Sequence, residues 1–527
     1  MTTASRTPSE KGSKRSGLGR STAVFAIWTG LSRVVGLVRE VLAAALFGLS
    51  GSMAAFNIAF NIPNVVRSLV ADSALSAALI PTYTHLVEQG REREAKRLVG
   101  AMTGFVTMVL GAVTLLAIVA APWFMPLFAP GLSPELQDET VYLSQLMFPI
   151  VLLLALTGIV AAVLQANGEF GATGFVPVLW NVVICVCLLV GFFVLPEDER
   201  ITAYAIGIVL GTLAQLLYLL PHMRGKGPFG FGISSPHLKR VLVLMLPVTI
   251  GLGLININAA IDNVFASLIS DEAVSAVSYA FRLYILPQGI FSVAISTVLF
   301  PSIARMVARG DRDGVGEMVT AGIRQIFFML LPASAFLMIL AEPVTRLVYQ
   351  RGQFGEADTL LTREALFTFT LGLVFNGASL LLIRAFFSLQ EPWLPTKIAV
   401  LGLLLNIALD AVLYAPLGVA GIPLATSVVS LITFLMLLGS LRTRVGRIDT
   451  AWLMDGFLRC VAAAAVLGVM AWATWTILDG ALGRSLPAQV IAVSFALAAG
   501  GVAYVSAALG FTIPELEQLA RLRRPLR

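Results

Sequence analysis

The chain has 527 residues, of which 57% are hydrophobic and only 13% are charged. Soluble domains carry about 25% charged residues, so this composition excludes a soluble globular protein. The net charge of +6 comes without a basic stripe interleaved with aromatic residues, which argues against nucleic-acid binding. The composition is that of an integral membrane protein.

Apolar segments of about 20 residues recur along the whole length, and each can cross a hydrocarbon core of about 30 Å as a helix. We predict an all-α polytopic fold with about fourteen transmembrane helices, at 22–47, 53–85, 98–127, 141–166, 173–195, 201–221, 238–268, 273–308, 318–349, 360–389, 396–415, 418–441, 452–478 and 486–511. Pro63 in the second span and Pro287 with Gly289 in the eighth predict kinks or breaks, because proline removes a helical hydrogen bond.

Basic residues concentrate in alternate connections and in the two tails, 1–21 and 512–527. The connections between them are acidic, as at 135–139 and 197–199. Short cytoplasmic loops retain Lys and Arg, so we predict that both tails lie in the cytoplasm, as an even number of spans requires.

A repeat is visible at an offset of 220 residues, since Ser76–Pro81 matches Ser296–Pro301 and Gly90 matches Gly310. The repeat predicts two pseudo-symmetric six-helix lobes, 22–221 and 238–441, around a central cavity, followed by a helix pair at 452–511. A chance match in repetitive apolar sequence is the alternative. Two-lobed repeats with a midplane substrate site are a common plan of secondary transporters.

Among the arginines inside predicted spans, the sequence singles out Arg33, Arg39, Arg67 and Arg282. A charge at mid-bilayer costs roughly 2.5–3.5 kcal/mol and usually marks a substrate path. Six helical steps place Arg33 and Arg39 about 120° apart, so both can line one lumen. A guanidinium matches phosphate oxygens with paired donors, which favours a diphosphate as the substrate group.

The alternative to a substrate is a set of ion pairs within the helix bundle. Glu40 would then neutralise Arg33 or Arg39, and Asp72 would neutralise Arg67. The sequence has no phosphate-loop motif, no H-E-x-x-H motif and only three scattered histidines, so we do not expect an enzyme. Transport must then draw on an ion gradient, the membrane potential or the substrate gradient.

A second group of polar residues lies in the predicted C-terminal lobe, at Asp262, Asn406, Asp410 and Thr426. Asn406 and Asp410 are one helical turn apart. Carboxylate, amide and hydroxyl oxygens are ligands that a sodium ion would accept. The alternative is that these side chains only join helices by hydrogen bonds.

Several motifs together resemble the MurJ (MviN) family of bacterial lipid II flippases, in the MOP superfamily. They are Ser32-Arg33-x-x-Gly36-x-x-Arg39, Ile62-Pro63-Asn64-x-x-Arg67, Ala78-Leu-Ile-Pro81 and Arg282-x-x-x-x-Pro287-x-Gly289. The resemblance implies a V-shaped bundle in the cytoplasmic membrane. Such a protein moves undecaprenyl-diphosphate-linked peptidoglycan precursor to the outer leaflet by alternating access, and its last two helices form a groove for the lipid tail.

The resemblance also implies roles for individual residues. The diphosphate would be bound by Arg33, Arg39, Arg67 and Arg282, with Ser32 and Asn64 as polar neighbours. A sodium ion would be bound by Asp262, Asn406, Asp410, Thr426 and the backbone of Ile422. Otherwise the resemblance implies no cofactor and no nucleic acid. Its partners are lipid II, membrane lipids and the cell wall synthesis machinery, for a monomeric transporter.

Three positions depart from the family pattern, where Ala54, Phe281 and Ile285 replace acidic residues. Their absence leaves the cavity more positive and puts acid-mediated gating in doubt. Three other functions remain open at this point. They are a flippase for another polyprenyl-diphosphate oligosaccharide, an ion-coupled drug exporter, whose cations the arginines would repel, and a membrane scaffold that transports nothing.

Overall fold

The computed structural model describes residues 8–70, 73–224, 232, 235–446 and 448–516. Within these ranges, the side chains of 8–26, 66–70, 73–78, 244 and 246–256 are outside the description. All regular structure in the described ranges is helical, as predicted. The chain divides into two compact units, Met1–Val264 and Phe265–Arg527.

The helices of the first unit are α1 (Pro8–Phe47), α2 (Gly51–Val70), α3 (Ser73–Glu88), α4 (Glu92–Phe124), α5 (Pro134–Met147), α6 (Pro149–Ala166), α7 (Phe170–Val194) and α8 (Arg200–Leu219). Helix α9 (Leu238–Ser267) contains the boundary between the units. The helices of the second unit are α10 (Asp271–Ala308), α11 (Arg312–Ile339), α12 (Ala341–Tyr349), α13 (Glu356–Ser388), α14 (Trp393–Leu417), α15 (Gly421–Arg442), α16 (Thr450–Leu482) and α17 (Leu486–Gly510). Short 3-10 turns lie at Met125–Phe128, Glu197–Glu199, Leu220–Met223 and Gly418–Ala420.

Each predicted span coincides with one or two of these helices. The segment 53–85 consists of α2 and α3, and 141–166 consists of α5 and α6. The predicted spans 141–166 and 318–349 are wrong as single helices. Helix α5 ends at Met147 before α6 begins, and α11 ends at Ile339 before the nine-residue α12. Helix α10 runs through Pro287 without a break, since its residues remain helical to Ala308.

Ten helical stretches in the described residues are long and apolar enough to cross a membrane. One of them, Trp393–Arg442, contains both α14 and α15. The chain is therefore a multi-pass membrane protein, and the count of fourteen spans stays a prediction.

The two copies of the sequence repeat end in the same local turn. Gly90 follows α3 with φ +73°, and Gly310 follows α10 with φ +74°. In each copy the glycine N–H donates to the carbonyl three residues earlier, at 3.0 Å in both turns. A left-handed residue after a helix favours glycine, because a Cβ is disfavoured in that conformation. The predicted lobe boundaries remain predictions.

Small residues allow close packing within the first unit. Helix α1 packs on α7, and α7 packs on α8. A Cβ at Gly207 or Gly211 of α8 would come within 2.9 Å of Cys187 or Trp180 of α7. The Gly207-x-x-x-Gly211 pattern therefore marks a close helix contact.

The second unit is built around α13, which packs against α10, α11 and α15. Gly377 of α13 faces Ser292 of α10 and Leu330 of α11 so closely that a Cβ would overlap both. Helices α16 and α17 form an antiparallel hairpin, and α16 packs on α11. This arrangement fixes the positions of the polar side chains described next.

Candidate functional site

Arg33 and Arg39 lie on α1, the helix that packs on α7. The Arg33 side chain is exposed and that of Ser32 is half-buried. No ion pair to Arg33 occurs within the described residues. Arg33 is therefore more exposed than Arg39, six residues later on the same helix.

Arg39 is held by neighbours on two helices. It pairs with Glu40, which is 6% exposed, and its guanidinium lies 4.8 Å from the centre of the Trp180 ring on α7. The Trp180 indole N–H donates to Thr212 of α8 at 3.2 Å. Glu40 thus offsets the charge of Arg39, as the ion-pair alternative expected, while Trp180 fixes the plane of its guanidinium.

In the second arginine motif, Ile62-Pro63-Asn64-x-x-Arg67, the structure describes only some of the side chains. Asn64 is half-buried on α2, next to the buried Pro63. The Arg67 side chain and Asp72 lie outside the described residues, so their predicted roles stay predictions.

Arg282 lies on α10 in the second unit and is half-buried. Its guanidinium is 5.4 Å from the centre of the Tyr279 ring, which packs against Tyr349 and Phe354. Phe281, at one of the positions that departs from the family pattern, is 40% exposed. Aromatic side chains therefore occupy the surroundings of this arginine.

Three of the predicted sodium ligands come together in the second unit. Asn406 and Asp410 of α14 are buried, and the Asn406 amide donates to Asp410 Oδ2 at 2.8 Å. The Thr426 hydroxyl of α15 donates to Asn406 Oδ1 at 3.5 Å. Ile422, fully buried, lies one helical turn before Thr426 on the same helix.

Asp262 lies on α9, within the first unit, and is buried. It accepts a hydrogen bond from Asn258 of the same helix at 3.3 Å. The side-chain oxygen atoms of Asn406, Asp410 and Thr426 are the kind of ligand atom that a hard cation such as sodium accepts. Within the described residues, no group of three or more His, Cys, Asp or Glu side chains could hold a metal ion.

The structure draws attention to three other arginines inside predicted spans, which the sequence reasoning did not single out. Arg324 pairs with Glu515, and Arg346 pairs with Glu342. Arg384 is half-buried on α13 and donates to Thr297 of α10 at 2.8 Å. The signal that singled out Arg33, a charge in an apolar segment, also applies to these three.

The family model for lipid II flippase MurJ matches residues 43–491. A lipid II flippase MurJ from Burkholderia cenocepacia is 31% identical over 460 residues, which cover 84% of this chain and 88% of the relative. The chain belongs to the MurJ family. The family match begins after Arg33 and Arg39, so it does not include the first arginine motif.

Solved structures agree with MurJ membership at the level of the fold. A lipid II flippase MurJ in an inward closed conformation has a TM-score of 0.75 and 24% identity, covering 94% of this chain and all of that one. A multidrug resistance MATE transporter of the MOP superfamily has a TM-score of 0.69 and 14% identity. The match covers 80% of this chain and 96% of the MATE transporter. The chain therefore shares its fold with both of these transporters.

Proposed function

We propose that this chain carries lipid II from the inner to the outer leaflet of the cytoplasmic membrane, for cell wall synthesis. The observation that carries the proposal is the MurJ family match over residues 43–491. Relatives that cover most of the chain bear the name lipid II flippase MurJ. The transporter acts by alternating access and catalyses no covalent reaction.

The arginines supply the recognition of the diphosphate. Arg33 and Arg282 offer guanidinium groups whose fork of N–H donors matches phosphate oxygens. Arg39 is oriented by Glu40 and by the Trp180 ring before any substrate arrives. An oriented guanidinium loses less conformational entropy on binding, which favours affinity.

The test compares Arg33→Ala, Arg39→Ala and Arg282→Ala in a strain depleted of its own lipid II flippase. We expect each variant to insert into the membrane at normal levels and to fail to support growth. Arg200→Ala is the matched control, because Arg200 also lies over an aromatic ring, 4.6 Å from Phe192. Full growth with all three variants would refute diphosphate recognition by these residues.

Substrate identity needs a separate assay with purified protein in liposomes. We expect flipping of lipid II and slower flipping of other undecaprenyl-diphosphate glycans. Equal rates for all of them would indicate a general polyprenyl-diphosphate flippase, and export of organic cations would indicate a drug exporter.

Sodium coupling is a second part of the proposal. Asn406, Asp410 and Thr426 would hold the ion through side-chain oxygens, with the backbone of Ile422, and Asp262 belongs to the ligand set by family resemblance alone. A bound sodium ion would supply a positive charge that neutralises the buried Asp410. Asn406 orients the Asp410 carboxylate by its hydrogen bond, at 2.8 Å.

The sodium test uses Asp410→Asn, which keeps the side-chain shape and removes the charge. We expect flipping by the unchanged protein to rise with sodium, and flipping by the variant to be independent of sodium. Binding of ²²Na⁺ to protein in detergent gives a readout that needs no transport. Flipping that is indifferent to sodium, with no ²²Na⁺ bound, would contradict coupling.

A further inference from the structure

Arg324 of α11 is the largest fully buried side chain within the described residues, at 1% exposure. Its Nε and Nη2 atoms donate to the two carboxylate oxygens of Glu515, the second at 3.1 Å. Its Nη1 donates to the Trp452 carbonyl at 2.8 Å, and the guanidinium lies 3.9 Å from the centre of the Trp452 ring. A Cβ at Gly456 would approach Arg324 Cζ to 2.7 Å, so the absence of a side chain there makes room for the guanidinium.

Glu515 follows the end of α17, so this ion pair fastens the end of the α16–α17 hairpin to α11. The same end has a second attachment to α16. Arg459 of α16 donates to the Phe511 carbonyl at 3.0 Å and to the Thr512 hydroxyl at 3.2 Å. Ile513, between Thr512 and Glu515, is 2% exposed. We name these contacts around Arg324 and Glu515 the first clamp.

The opposite end of the hairpin has its own ionic contacts, which we name the second clamp. Asp479 near the end of α16 accepts a hydrogen bond from Gln489 of α17 at 2.6 Å. Arg346 of α12, 6% exposed in its side chain, lies 4.0 Å from the same Asp479 oxygen. Arg484, between the two helices, lies 3.6 Å from Glu356 in the first turn of α13.

Contacts between the clamps run along the whole length of the hairpin. Tyr504 of α17 donates to the Phe328 carbonyl of α11 at 2.7 Å. The rings of Phe327 and Phe457 lie 5.2 Å apart across α11 and α16. A Cβ at Gly468 would overlap the Ile339 side chain, so α16 and α11 are in close contact there too.

From these contacts we infer that the α16–α17 hairpin moves as one body with α11, α12 and α13 throughout the transport cycle. The part of this inference that concerns transport rests on the proposed function. Separation of the hairpin from α11 would break the buried Arg324–Glu515 ion pair and its hydrogen bonds, which is unfavourable. The hairpin is thus a fixed wall of the second unit, and the moving gates lie elsewhere.

The first experiment locks the hairpin to α11 with a disulfide. Cys185, Cys187 and Cys460 are replaced by Ala, and Ile339→Cys is combined with Gly468→Cys. We expect the oxidised protein to flip lipid II within about twofold of the reduced protein, because the two helices keep their contact. Each single-cysteine variant, treated with the same oxidant, is the control. Loss of flipping on oxidation that returns on reduction would overturn the inference.

The second experiment needs no substrate, so its result is independent of the proposed function. Glu515→Gln weakens the first clamp, and hydrogen exchange is measured in nanodiscs. We expect amides of residues 500–516 to exchange about tenfold faster or more, with α1–α8 unchanged. Glu391→Gln is the matched control, because Glu391 forms an exposed ion pair with Arg444, outside the hairpin. Unchanged exchange in Glu515→Gln would show that the first clamp does not hold the end of the hairpin on α11. If that variant does not fold, the disulfide experiment still decides.

Discussion

At the scale of single residues, the arginines inside the apolar segments divide into two groups. Arg39, Arg324 and Arg346 have a carboxylate partner, and their burial is met by an ion pair. Arg33 and Arg384 have no ion pair within the described residues. A charge in an apolar segment therefore does not by itself identify a substrate path, because several of these arginines are neutralised within the helix bundle.

Replacement of Arg39 by Lys tests whether its geometry matters in addition to its charge. Lys keeps the charge but lacks the planar fork that contacts Glu40 and lies over Trp180. A charge-assisted hydrogen bond contributes about 1.5–3 kcal/mol, so we expect flipping in liposomes to fall about ten- to a hundredfold. Arg200→Lys is the control, because Arg200 lies over the Phe192 ring, and this variant should flip lipid II at the normal rate. Normal flipping by Arg39→Lys would show that charge alone suffices.

The buried ion pair of Arg324 and Glu515 allows a test of how single and double apolar replacements change the stability of the fold. Arg324→Leu leaves Glu515 buried without its partner, and we expect a loss of about 3–5 kcal/mol. The double variant Arg324→Leu with Glu515→Leu should recover most of this loss, because no unpaired charge remains. Thermal unfolding in detergent measures both. A double variant as unstable as the single one would assign the effect to lost packing against Trp452.

At the scale of helices, hydropathy alone predicts most helix bounds to within a few residues, as for α7 and α13. It fails at 318–349, where α12 carries Glu342 and Arg346 and packs as a separate amphipathic helix. The contact of Asn406 with Asp410 is predictable, because residues four apart share a helix face. The pairing of Arg324 with Glu515, 191 residues apart, depends on tertiary packing and leaves no local signal.

Close packing between α13 and its neighbours gives an element-scale prediction. Gly377→Ala places a methyl group where it would overlap Ser292 of α10 and Leu330 of α11. Overpacking of this kind costs about 1–3 kcal/mol, so we expect a lower unfolding temperature. Gly111→Ala in α4, where the new methyl meets no atom within 4 Å, should leave the unfolding temperature unchanged or raise it slightly. Equal effects of the two changes would argue against close packing at Gly377.

At the scale of the whole molecule, charge is distributed unevenly among the helix connections. Arg305, Arg309 and Arg312 lie around the turn from α10 to α11, and all three are exposed. The turn before α8 carries instead Glu197, Asp198 and Glu199, all exposed. Since cytoplasmic connections retain basic residues, the two turns should face opposite sides of the membrane.

Thiol labelling of intact cells checks this orientation. In a variant whose three cysteines are replaced by Ala, Asp198→Cys and Arg309→Cys each supply one exposed thiol. A membrane-impermeant maleimide should label Asp198→Cys in intact cells, and Arg309→Cys only after the cells are permeabilised. This pattern would place the basic turn in the cytoplasm. The eight spans predicted before the turn and the six predicted after it would then place both tails on the same side. Labelling of Arg309→Cys alone in intact cells would reverse the orientation, and labelling of both would contradict the predicted number of crossings between α8 and α10.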